Sequence, residues 1–245
     1  MIYIKKIALF LALFAGLAAY SFGDTLFAFP IGIYRVSEKF PDEKYGKEAL
    51  AFGTNIAVNH YFGNFPLGMF FNTALVSISS GQEWKGEEMA STDSISSTDL
   101  RISLGPSFGL KLGRIVQIPI SLGPLFSYCY EENYGYNTAG FYESVNIGVL
   151  GDIAVAINPF RRFLIKSGLT VSYDFARWER GRMDTELRQV FIGGGPKKVN
   201  FNALTIGGYV GIGVRIGAVN PKAKEKGKNN MEERVEEREE ENTLL

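Results

Sequence analysis

The sequence predicts an all-β chain: eight antiparallel strands in an up-and-down order, closed into a transmembrane barrel and followed by a charged C-terminal tail. Three observations predict it. Eight segments alternate large apolar residues with small or polar ones, the period of a strand. The connections between them are alternately long and tight. Glycine reaches 28 and phenylalanine plus tyrosine 31 of 245 residues, a composition suited to sheets rather than helices.

Residues 1–23 read as a secretory signal. Lys5 and Lys6 open it, Ile7 to Ala19 is its short apolar core, and Ser21-Phe22-Gly23 precedes a cleavage near Gly23. The barrel is expected over 24–219. The strands are placed near 25–37, 48–61, 66–79, 98–111, 115–130, 141–157, 161–178 and 200–218. After the odd strands come "EKFPDEKYGK", "SGQEWKGEEMASTDSISS", "EENYGYNTAG" and "ERGRMDTELRQVFIGGGPKKVN". After the even ones come "FGNF", "LGR" and "NPF", where Asn, Gly and Pro supply turn chemistry. Long and short connections therefore gather at opposite ends, and a meander of this kind removes its edges by closing.

The two faces differ in kind. In the fourth strand Leu100, Ile102, Leu104, Phe108 and Leu110 alternate with Arg101, Ser103, Gly105, Ser107, Gly109 and Lys111. In the last, Leu204, Ile206, Val210, Ile212, Val214 and Ile216 alternate with Ala203, Thr205, Gly207, Tyr209, Gly211, Gly213 and Arg215. A barrel in water would need its outer face rich in Lys, Glu, Asp and Arg. The second face here is mostly Gly, Ser, Ala, Asn and Thr, which suits a cramped interior. The apolar face therefore points outward, into lipid. Each segment exceeds the roughly 9–11 residues that a tilted strand needs to cross a bilayer. Phe70-Phe71 breaks the pattern, so the facing of the third strand is left open.

Aromatics mark both ends as two girdles. Phe27, Phe29, Tyr61, Phe62, Phe65, Phe160 and Phe163 lie near the short turns. Tyr128, Tyr130, Tyr134, Tyr136, Phe141, Tyr142, Tyr173, Phe175 and Trp178 lie near the long connections.

The pattern over 25–218 resembles the eight-stranded outer-membrane barrels of the OmpA, OmpX and OmpW type. Tyr209-Val210-Gly211-Ile212-Gly213-Val214-Arg215-Ile216 is similar to the terminal-strand signal of such barrels, with aliphatic Val214 and Ile216 where aromatics are usual. The resemblance implies the outer membrane of a diderm bacterium, insertion by barrel assembly machinery, outer-membrane lipid as surroundings and a monomer. It also carries an alternative reading: a narrow channel or transporter for small, including hydrophobic, solutes. The segment 220–245 is basic and then acidic, with too few apolar residues for a core. It is expected to be a disordered or helical periplasmic tail.

Candidate chemistry is sparse. An inward charge network is expected from Asp152, Lys166, Arg215, Asp174, Arg101 and Lys111, with Arg162 a further inward candidate. If "NPF" is a tight turn, Asp152 and Lys166 lie nearly opposite each other, and buried charges demand partners. A surface-contact role falls to the second and fourth long connections through Trp84, Arg180, Arg182, Arg188, Lys197 and Lys198, which suit an anionic host or lipopolysaccharide ligand. The single histidine, His60, sits beside a short turn, far from the long connections where known barrel enzymes place a base. Cys129, the single cysteine, faces inward as a small buried side chain. No metal-ligand spacing and no phosphate loop is present, and zero net charge implies no nucleic-acid partner. The expectation is a non-enzymatic barrel without cofactor, acting in membrane integrity and surface contact.

Overall fold

A computed structural model describes residues 23–41, 45–63, 65–85, 88–90, 94–113, 115–135, 138–160, 162–185, 188–191 and 196–217. The expected signal, apart from Gly23, and the expected tail lie outside them. For residues 45, 79–85, 88–90, 94–95, 132–135, 138–142, 181–185 and 188–191 only the backbone is described.

Eight long strands form the wall: β1 Gly23–Phe40, β2 Tyr45–Phe62, β3 Leu67–Lys85, β5 Ser94–Leu112, β6 Val116–Gly135, β7 Thr138–Ile157, β8 Phe163–Thr185 and β11 Asn202–Ile216. Three short strands, β4 Glu88–Ala90, β9 Arg188–Phe191 and β10 Lys197–Val199, pair onto β3, β8 and β8. Every long strand pairs antiparallel with its neighbour in sequence, and β1 pairs with β11 from Thr25↔Ile216 to Lys39↔Asn202. That last ladder closes the barrel and leaves the wall without an edge. Left-handed glycines make two of the tight turns, Gly63 at φ 60° and Gly113 at φ 72°.

The strands run further than expected at the long-connection end. β6 and β7 are paired from Val116↔Ile157 to Gly135↔Thr138, through most of the segment read as a loop. β8 likewise reaches Thr185, against an expected end near 178. The long connections are thus largely paired hairpins. Once two strands are in register, the ladder continues wherever no residue blocks it, and polar side chains do not interrupt backbone pairing.

Burial alternates as expected along β5 to β8 and β11. Ile153, Leu169 and Ile212 are exposed while Ala154, Thr170 and Gly211 are enclosed. The exposed apolar residues form a continuous band around the wall, which is what hydrocarbon requires and water penalises. The third strand resolves simply. Phe70 points inward, and Phe71 lies on the outer side yet is covered, at 7% exposure.

Two expectations are corrected. Tyr61 does not belong to the girdle: it is fully enclosed in the lumen, because it shares the inward parity of Asn55 and Asn59. Arg162 sits exposed in the β7–β8 turn rather than inside.

Candidate functional site

The lumen is the candidate site, and glycine shapes its walls. The Tyr34 ring lies so close to Gly207 and Gly53 that a Cβ on either would come within 2.7 Å and 2.9 Å of ring carbons. A Cβ on Gly168 would meet Tyr209 Oη at 2.7 Å, and one on Gly109 would meet Tyr61 Cζ at 2.7 Å. Three inward tyrosines therefore lie against glycines of other strands, Tyr34 and Tyr209 against adjacent ones and Tyr61 across β3. This accounts for the glycine-rich face better than conformational freedom does.

From the short-turn end upward the interior is layered. At the rim, Arg215 Nε donates to Asp24 Oδ1 at 2.7 Å, its second nitrogen contacts Asp24 Oδ2, and Lys111 Nζ lies 3.2 Å from Asp24 Oδ2. Lys111 is 40% exposed. Above this, Lys166 Nζ donates to Asn59 Oδ1 at 3.1 Å and lies 3.5 Å from Asp152 Oδ2. Tyr209 Oη donates to Asp152 Oδ1 at 2.7 Å, and the Asn59 amide donates to Ser107 and Ser121 at 3.0 and 3.1 Å. Lys166 and Asp152 thus each have a charged partner and a further hydrogen bond, the condition for tolerating buried charge.

The middle is apolar and aromatic. Phe70, Leu125 and Leu150 cluster there, and the Tyr34 hydroxyl and Asn55 amide are hydrogen-bonded. A cavity of about 20 Å³ remains beside Tyr34, Asn55, Arg101 and Thr205, the size of about one water. Arg101 Nε donates to Asp99 Oδ2 at 2.6 Å and Nη1 donates to Ser172 at 3.3 Å. Asp174 is buried on the same side, and its Oδ1 has no hydrogen bond among the described residues.

At the long-hairpin mouth, Lys47 Nζ donates to Glu131 at 2.9 Å. Arg177 lies 3.1 Å from Glu179 and 3.8 Å from Glu38, with its guanidinium over the rings of Phe40 and Phe201 at 5.3 and 4.9 Å.

The sequence-derived residues thus divide. Asp152 and Lys166 meet, although not as direct opposites: the register pairs Asp152 with Thr170 and Lys166 with Ala156, and the long lysine side chain spans the offset. Arg215 and Lys111 gather on Asp24 at the rim instead. Arg101 takes Asp99, which the sequence reading did not assign to it. Trp84, Arg182 and Arg188 lie in β3, β8 and β9, with only their backbones described, and Arg180, Lys197 and Lys198 are exposed on β8 and β10. These six are therefore in paired hairpins, not unpaired loops.

Sequence reading missed Arg177, for a definite reason. Between β7 and β8 the register shifts: Ile147 faces Ala176 and Gly148 faces Asp174, so Phe175 is one extra residue on β8. A bulge of one residue reverses the facing of everything beyond it. Simple alternation puts Arg177 outside with Phe175; the bulge turns it inward, 3% exposed. Asp24 and Glu38 were not singled out either, although both share the inward parity of Leu26, Ala28, Tyr34 and Val36 on β1.

His60 Nδ1 is 2.9 Å from Thr25 Oγ1 at the short-turn end. Among the described residues no group of three His, Cys, Asp or Glu is arranged to hold a metal.

No protein-family model matches the chain, and no curated protein matches it. Solved structures do. The outer membrane protein OprG from Pseudomonas aeruginosa superposes with a TM-score of 0.52 at 12% identity, over 82% of this chain and 99% of that one. A major outer membrane protein from Thermus thermophilus gives 0.49 at 13%, over 77% and 100%. The outer membrane protease OmpT from Escherichia coli gives 0.46 at 7%, over 79% and 95%. The likeness to OprG is one of fold, and with the closed ladder and apolar exterior it makes this chain an eight-stranded antiparallel transmembrane barrel.

Proposed function

We propose that the chain is a non-enzymatic integral outer-membrane barrel whose hairpins, not its lumen, carry its role: membrane integrity and surface contact. The observation that carries this reading is the filled interior. Ion pairs at both mouths, the Asp152–Lys166–Tyr209 layer and the Phe70–Leu125–Leu150 cluster occupy successive levels of the barrel. An eight-stranded barrel is just wide enough for side chains to fill it. In this reading 1–23 directs export, the barrel assembly machinery inserts 24–219 as a monomer, and 220–245 remains a periplasmic tail. The exposed cations Arg180, Lys197 and Lys198 suit an anionic polymer, from a host matrix or lipopolysaccharide.

Planar-bilayer recording of refolded residues 24–245 tests the reading. Inserted protein is expected to pass no defined current steps. Reproducible steps would overturn it in favour of a narrow channel for small solutes. Neutralising Arg180, Lys197 and Lys198 together to Gln is expected to lower binding of a soluble anionic polysaccharide; unchanged binding would remove the hairpin from the contact role.

A further inference from the structure

We infer that the outer wall carries a site for one phosphate-bearing lipid of the surrounding leaflet, with an acyl chain in a groove across β11, β1, β2 and β3 and the phosphate at Arg35. The inference goes beyond the proposed role and rests on it only in taking the outer face to meet lipid.

The groove is a concavity in the apolar band. It measures about 850 Å³ and is walled by Ile31, Ile33, Phe52, Leu75 and Val210. Its depth comes from small residues. Gly208, on the outward parity of β11, stands between Ile206 and Val210, and the backbones of Gly32 and Gly53 form the floor. A Cβ at Gly208 would meet nothing closer than Leu169 Cδ2 at 3.7 Å, so no local packing demands glycine there. This separates Gly208 from Gly207, whose neighbour is the Tyr34 ring.

Charge sits where a headgroup would need it. Along the outward side of β1, Phe29, Ile31 and Ile33 are followed by Arg35, Ser37 and Lys39. Arg35 is two residues above Ile33, roughly 7 Å along the strand. On β2 the apolar band ends at the same level, because Arg35 pairs with Leu50 and Glu48 follows Leu50 on the outward side; on β11, where Arg35 pairs with Ile206, it runs one outward position further, to Leu204. The guanidinium gives one contact to Glu48, Nη2 to Oε2 at 2.7 Å, yet its side chain stays 71% exposed. Its other donors can meet a phosphate, a geometry that guanidinium matches bidentately. Lys39, exposed on the same column, adds a second cation. An apolar groove capped by cations at the edge of the band fits an acyl chain below a phosphate.

Native mass spectrometry of the refolded chain from detergent micelles tests it, with dimyristoyl phosphatidylglycerol and dimyristoyl phosphatidylcholine as probes. One phosphatidylglycerol is expected to be retained with roughly tenfold preference over phosphatidylcholine. Arg35→Gln with Lys39→Gln is expected to erase the preference. Gly208→Leu, which fills the groove and leaves the charges, is expected to abolish retention. Equal retention of both lipids by the unaltered chain overturns the proposal, and so does undiminished retention by Gly208→Leu. Heat-modified gel mobility shows that each variant is folded. A chain that folds but does not enter bilayers would overturn the membrane reading instead, a failure visible before any lipid is counted.

Discussion

Lys166 Nζ lies 3.5 Å from Asp152 Oδ2 inside the barrel, one layer above the short-turn rim, with both side chains at least 96% enclosed. The pair is reached diagonally across the β7–β8 ladder, and Tyr209 Oη and Asn59 Oδ1 complete the coordination of the two charges. Removing one partner strands the other in a medium that cannot solvate it. Asp152→Asn is therefore expected to destabilise the folded barrel by about 3–5 kcal/mol, read from urea unfolding. Adding Lys166→Met should recover most of the loss. An unchanged midpoint for the single variant would show that the charges do not depend on each other.

The ring-on-glycine contacts make a second prediction. Gly207→Val drives a branched side chain into the Tyr34 ring, and overpacking of this kind costs about 1–3 kcal/mol. Tyr34→Ala in the same chain should relieve much of that cost, so a double-mutant cycle should give a coupling well away from zero. Simple additivity would separate the two residues.

The outward facing of β5 is tested by charge. Leu104→Arg is expected to cost roughly 2–4 kcal/mol in lipid, whereas Thr98→Arg, on the same outward side but above the band, should stay within about 0.5 kcal/mol. Equal, small effects at both positions would mean that Leu104 does not meet hydrocarbon.

The two mouths should respond differently. Arg177 is enclosed between Glu38, Glu179 and two phenyl rings, so Arg177→Met is expected to cost about 3 kcal/mol by leaving carboxylates uncompensated. Lys111 shares Asp24 with Arg215 and is 40% exposed, so Lys111→Gln should cost about 0–1 kcal/mol. Chemical denaturation of the two variants side by side checks the ranking, and a reversed order would contradict the burial of Arg177.

The number and order of the long strands, and the facing of all but the third and of β8 beyond its bulge, were readable along the chain because they are local. Period two assigns Leu100, Ile102 and Leu104 to one side and Arg101 and Ser103 to the other, and Gly63 and Gly113 announce their own turns. The poverty of charge on the second face is equally local, and it is enough to send the apolar side into lipid. Pairing across strands is not local. That Arg215 takes Asp24 and that Tyr34 rests on Gly207 depend on register between strands far apart in sequence. Arg177 is the sharpest case. One extra residue at Phe175 reverses its side, and a bulge leaves no mark in composition or spacing, because it arises from how two ladders meet in the closed wall.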